Sequence, residues 1–491
     1  MPTTSQTSPA LDDGTGRLSR RAWGALLVLC GALFLDALDV SMMGVALPSI
    51  RSDLHLSTSS LQWVVSAYVL GYGGFLLLGG RAADLLGRRR VFLIALGVFV
   101  VASMLGGFAH DGSLLIATRF VKGISAAFTA PAGLSIITTS FAEGPARNKA
   151  LSVYTATGAT GFSLGLVFGG LLTQIGWRWV FFLPAPVALA ALVAGTRLVP
   201  GGDRPSRFSR GFDLMGAVTM TSAMLLLVYT LVEAPQAGWG SARTLGSLAA
   251  VAAILAAFVV REGSTATPLV RLGILRSASL VRANLAAMML FGGWVGFQFI
   301  ATLYMQQLRG WSALDTGLAI FPGGALVAVF SPRIAPLVMR FGVTRLILGG
   351  LLAIATGYTL FLPIGLHSSY ALAVLPTVLL AGVGFALAFG PLNIAATNGV
   401  APHEQGLAGG LLNTSFQFGG ALVLAVVTAV VNANTHGATA QALLNGFHPA
   451  LVVPVMAALL GILAMATGLR RRSAVVVAEP EVEGDIEVEA A

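Results

Sequence analysis

Two aspartates one helical turn apart, Asp36 and Asp39, stand inside an otherwise apolar stretch, residues 22–47. A carboxyl group among apolar residues has one ready chemistry. It binds and releases a proton, because burial disfavours its charge while a nearby cation favours it. A later stretch holds matching cations, Arg119 and Lys122, again three residues apart. Such a spacing puts both members of a pair on one helix face. Acid set against base lowers the cost of burying either. Ionisable groups within a membrane span mark an ion or substrate pathway by default. Asp39, Asp36, Arg119 and Lys122 are therefore the candidates for proton loading and release. The plainer alternatives are a hydrated vestibule acid that merely pairs with arginine, and an Arg119 that snorkels to the surface.

The elements that must position these groups follow from composition. Of 491 residues, 56% are apolar and 10% charged, with a mean hydropathy of +0.84. A soluble domain carries about 25% charged residues, so lipid must solvate much of this chain. Apolar runs of about 20 residues each suffice to cross a bilayer as helices, and fourteen such runs are legible. The net charge of +9 raises the question of nucleic acid, but the positive residues sit in short loops between the runs. Under this count one set of loops holds nearly all of them. The opposite set holds only Arg51, Arg178, Arg243 and Arg309. The positive-inside rule then puts both termini in the cytoplasm.

The expected organisation is an all-α membrane protein of two six-helix bundles plus a two-helix insert. A cytoplasmic tail, 1–21, precedes a first bundle, 22–199. The linker with the insert is 200–282, the second bundle 283–470, and an acidic tail, 471–491, follows. A weak repeat supports two halves: AADLLGRRRV after the second run matches PLVMRFGVTRL after the tenth, aligning Gly87 with Gly342 and Arg90 with Arg345. The first run is too long for a signal-peptide core and is read as a retained helix. Cys30 is the single cysteine, and no histidine pair has metal-ligand spacing. No phosphate-binding G-x-x-x-x-G-K-[ST] loop occurs. No metal, cofactor or catalytic cluster is expected, and an ion gradient is the expected energy source.

Four motifs extend the argument. Gly80-Arg81-Ala82-Ala83-Asp84-Leu85-Leu86-Gly87-Arg88-Arg89-Arg90 joins the second and third runs. Gly80 would let backbones approach, Gly87 would permit a tight turn, and Asp84 and Arg88 would lock that face shut. In the fifth run Gly161, Gly165 and Gly169, with Gly170 beside them, make a bare face for close packing. Together with the acid motif Leu35–Pro48 and the Arg119–Ala127 segment, these resemble the signatures of the major facilitator superfamily, in particular its fourteen-helix drug:proton antiporters. The likeness covers roughly 22–470. Leu85, Lys122, Leu166 and Pro184 depart from the family pattern, and Asp36 is extra to it.

The resemblance implies the major facilitator fold and assigns Arg119 to proton transfer and the helix 5 glycines to an antiporter motif. It implies a bacterial inner-membrane protein, expected as a monomer, whose partners are lipid, protons and a small molecule. Phe162, Phe297, Gln298, Asn413 and Gln417 are candidates for a central apolar cavity with few polar anchors. The expected function is proton-coupled efflux of amphipathic molecules such as drugs, antibiotics or secreted metabolites. A proton symporter importing a nutrient is the first rival, and a membrane sensor or enzyme the second.

Overall fold

The computed structural model describes residues 19–141, 145–200, 214–265, 272–398, 400, 405–437 and 439–468. Within them the chain is helical, with no strand. The long helices are α1 (Arg20–Asp53), α2 (Thr58–Leu86), α3 (Arg88–Gly107), α4 (Gly112–Ser140), α5 (Pro145–Ile175) and α6 (Trp179–Leu198). Then come α7 (Leu214–Ala237) and α8 (Ala242–Ser264). The last six are α9 (Ala278–Leu308), α10 (Ala313–Phe330), α11 (Val343–Phe361), α12 (Tyr370–Thr397), α13 (Gln405–Asn434) and α14 (Ala440–Ala466). By length and composition twelve of these could cross a membrane among the described residues. The other two, α2 and α7, coincide with apolar runs of the sequence, so the fourteen-helix reading is consistent with the structure.

Many helices begin where a short polar side chain can take up a free amide. Ser19, Ser57, Asp111, Ser241, Ser277, Ser312 and Thr439 each accept from the backbone N–H three residues on. In lipid this matters, since an unmet backbone amide finds no water. The turns the repeat singled out are matched in geometry. Gly87 has φ 93° between α2 and α3, and Gly342 has φ 81° before α11. Both conformations belong to glycine.

The first bundle gathers α1 to α6 and the second α9 to α14. We call the end where α1 begins the start face, and the end where it finishes the far face. Between α2 and α4 the backbones touch. A Cβ on Gly71 would lie 2.9 Å from the Ile124 nitrogen, and one on Gly123 would lie 2.9 Å from the Tyr72 nitrogen. Gly79 approaches the Ala127 backbone in the same way, whereas Gly80 has room for a Cβ, 3.8 Å from Pro131. The close backbone approach expected of Gly80 is thus made one residue earlier, by Gly79, while Gly80 meets α4 only at the Pro131 side chain in ordinary contact.

The bundles meet from mid-depth to the far face. Gly170 abuts Leu314, and Gly324 abuts the Ser163 hydroxyl. Arg51 donates to Gln307 Oε1 at 3.1 Å, and Gln306 donates to the Val45 carbonyl at 2.9 Å. Towards the start face Asn413 of α13 is exposed and its amide donates only to its own helix, at Gly409. The insert pair α7–α8 sits over the seam: α7 packs on both α2 and α13. It is fastened to the first bundle, where Trp63 Nε1 donates to Glu233 at 3.0 Å and the Trp63 ring lies 5.8 Å from that of Tyr229.

The α2–α4 contact yields a stability prediction. Gly123→Val should destabilise the protein by about 1–3 kcal/mol or more, as overpacked cores do. Gly80→Ala should be nearly neutral. Melting curves of detergent-purified protein, followed by the monodisperse fraction, check both.

Candidate ion-coupling site

Asp39 is fully buried at mid-depth in α1, and two cations close on its carboxylate. Arg119 donates from one guanidinium nitrogen to Oδ2, and Lys122 donates from Nζ to Oδ1. The three-residue spacing on α4 lets one acid receive both. Arg119 is 2% exposed and Lys122 0%, so neither reaches an aqueous surface, and the snorkelling alternative does not describe this geometry.

The cations are oriented by further helices. Arg119 Nε donates to the Val64 carbonyl of α2 at 3.2 Å. Its guanidinium lies 4.6 Å from the Tyr68 ring centroid, also on α2. Lys122 Nζ lies 4.6 Å from the Phe99 ring of α3 and 5.0 Å from the Phe181 ring of α6. Such rings attract a cation most where water is excluded. The site is therefore assembled by α1, α2, α3, α4 and α6, and its cations are held by aromatic faces as well as by Asp39.

Asp36 occupies the next turn of α1 and is only half-buried. It does not join Arg119 or Lys122 in an ion pair; it accepts from the Tyr68 hydroxyl instead. Tyr68 thus touches both acids' surroundings, its hydroxyl on Asp36 and its ring beneath Arg119. A small cleft beside Asp36 is walled by Leu96 and Phe99 of α3 and by Ser125 and Thr129 of α4. Tyr68, Phe99 and Phe181 are not among the site candidates that the sequence offers. A tyrosine within a span signals a buried hydroxyl that needs a partner, which is the available clue to Tyr68. A phenylalanine in an apolar run gives none.

The glycine face of α5 lies on α1, next to the acids. A Cβ on Gly161 would come 2.6 Å from the Phe34 carbonyl, on Gly165 2.7 Å from that of Leu38, and on Gly169 2.8 Å from Met42 Cα. Gly170 turns away from α1 onto α10. In the start-face motif Gly87 makes the turn and Arg88 is half-buried at the head of α3. The Asp84 side chain lies outside the described residues.

The cavity candidates separate. Phe162 is half-buried, 6.1 Å from the Trp294 ring. Phe297 is instead core of the second bundle, 1% exposed and stacked 4.8 Å from Tyr358. Its aromatic bulk suited either place, and the register of α9 turns it inward. Gln298 points between the bundles at Gly44, Gln417 is buried where α2, α7 and α13 meet, and Asn413 is exposed.

One acid shared by two buried cations makes a thermodynamic prediction. Asp39→Asn should cost about 3–5 kcal/mol, the toll of leaving buried charge uncompensated. Adding Lys122→Gln should restore part of it. A double-mutant cycle on melting in detergent measures the coupling, and additive effects would contradict the shared pairing.

With this geometry in view, comparison with known proteins places the chain. Residues 29–424 match the family model described as Major Facilitator Superfamily. The chain is 38% identical over 435 residues to the cephamycin export protein CmcT of Amycolatopsis lactamdurans, covering 87% of this chain and 89% of the relative. It is 39% identical to the puromycin resistance protein pur8 of Streptomyces alboniger, covering 88% and 86%. Among solved structures, a peptide transporter of the POT type superposes with a TM-score of 0.66 at 17% identity, covering 91% of this chain and 94% of the other. That likeness concerns the fold alone. The paired bundles, the family match and these relatives together make the chain a member of the Major Facilitator Superfamily, akin to antibiotic export and resistance proteins.

Proposed function

We propose that this protein expels small amphipathic molecules from a bacterial cell in exchange for protons, by alternating access between its two bundles. The observation that carries the reading is the buried Asp39 held by Arg119 and Lys122. A proton on Asp39 removes the counter-charge of two buried cations. With that counter-charge gone, the surroundings of Arg119 and Lys122 must reorganise or the proton must leave. That is the linkage an exchanger needs: one occupancy for each arrangement of the bundles. Asp36, half-buried one turn away and bonded to Tyr68, supplies a second protonatable group on the same face.

The arginine-rich loops support an orientation with the start face towards the cytoplasm. The arrangement described is then closed on the outside, where Arg51 meets Gln307. Export is supported by relatives named for cephamycin export and for puromycin and lincomycin resistance. A compound of this class, bulky and amphipathic, is the expected cargo.

Inside-out vesicles test the reading. An imposed proton gradient should drive uptake of at least one compound from a panel including puromycin and lincomycin. Asp39→Asn, at matched protein level, should abolish that uptake. Full proton-driven uptake by the Asp39→Asn protein would remove this acid from the mechanism. Uptake driven only in right-side-out vesicles would make the protein an importer.

A further inference from the structure

The far half of the seam between the bundles holds a set of buried polar atoms that bond to nothing. They are Gln62 Nε2 and Ser66 Oγ on α2, Gln298 Nε2 and Thr302 Oγ1 on α9, and Thr428 Oγ1 on α13. Ser66, Thr302 and Thr428 are 0% exposed, Gln62 1% and Gln298 9%. A buried polar group without a partner is rare and calls for a cause.

Their placement supplies one. Gln62, Ser66, Val69 and Gly73 form one stripe along α2. Gly73 lies against Gln417 of α13, and Val69 shares a cluster with Ala421. The two helices run in opposite directions, so the same register brings Gln62 level with Thr428. Across the seam Gln298 faces Gly44 of α1, where a Cβ would come 2.6 Å from its Nε2. Thr302 follows one turn later, and Gln306 on the same stripe does reach α1, at the Val45 carbonyl. The unpartnered atoms thus belong to helices that meet across the bundle boundary, on the side that is shut.

We propose that Gln62, Ser66, Gln298, Thr302 and Thr428 form the wall of the release path, a neutral hydrogen-bonding lining that is wetted when the far half parts. The inference rests on the alternating-access part of the reading above, not on the cargo or the proton. Closed, these amides and hydroxyls lack partners and weaken the seal. Open, they bond to water and to the polar parts of a departing amphiphile. None of the five is charged, so they hold a polar molecule by hydrogen bonds and not by ion pairing. The device makes outward opening cheaper, because the polar atoms of the parted wall gain the partners they lack when it is shut.

Thiol labelling tests this. In a Cys30→Ala background, Ser66→Cys, Thr302→Cys and Thr428→Cys should react in intact cells with a membrane-impermeant methanethiosulfonate. Ser103→Cys, equally buried but inside the first bundle on α3, should not. Prior linking of Arg51→Cys to Gln307→Cys with a short bis-maleimide should block the reaction. Thr302→Val with Thr428→Val removes two unpartnered hydroxyls at nearly constant shape. It should slow labelling of Ser66→Cys by about fivefold or more while leaving the melting temperature unchanged or higher. If the three thiols stay as inert as Ser103→Cys, or react only in inside-out vesicles, the proposal is overturned. A lower melting temperature with unchanged labelling would also overturn it, by making the hydroxyls structural. Labelling needs no cargo. Reactive thiols without any proton-driven transport would overturn the proton-exchange reading alone; transport with inert thiols would overturn this one alone.

Discussion

The structure turns on a charge balance in a medium that cannot screen charge. Asp39 answers two cations at once, and no water-facing route relieves any of the three. Everything near the site serves that imbalance. Val64 takes one guanidinium hydrogen, Tyr68 lies beneath Arg119, and Phe99 and Phe181 flank Lys122. An ion pair in this setting is weak evidence of stability, because desolvation offsets much of the attraction. It is better understood as a constraint: whichever group changes charge, its neighbours must move. That is why a site of three side chains draws on five helices.

The acids differ in a way their spacing hid. On a helix wheel Asp36 and Asp39 are near equivalents, and both look able to meet the bases of α4. The structure gives both bases to Asp39 and leaves Asp36 to a tyrosine. Asp36 is the more exposed, beside a cleft between α1, α3 and α4. One turn of α1 and their burial separate them, and which acid meets both bases is decided by the packing around α1, which periodicity alone does not fix.

Much of the fold was legible because lipid simplifies the code. Apolar length and the side on which arginines fall are read directly, and they gave fourteen segments, a count with which the helices of the structure are consistent. Gly87 and Gly342 were legible too, since only glycine holds their turn. Close packing was read to within one residue: the motif drew attention to Gly80 while Gly79 makes the contact. The cavity was the least legible part. An aromatic such as Phe297 is equally at home in a core or a pocket, and only the rotation of α9 about its axis decides. The unpartnered hydroxyls of Thr302 and Thr428 gave no sequence signal either, because a threonine in a span normally bonds its own helix.

The glycines of α5 have a mechanical meaning. Along Gly161, Gly165 and Gly169 the main chain of α5 rests on that of α1, and on another side Gly170 and the chain near Leu166 rest on α10. Contacts between main chains have no side-chain slack to absorb a small displacement. Were the acid-bearing helix to tilt, α5 would pass the movement into the second bundle as a push between stiff rods, with little lost on the way.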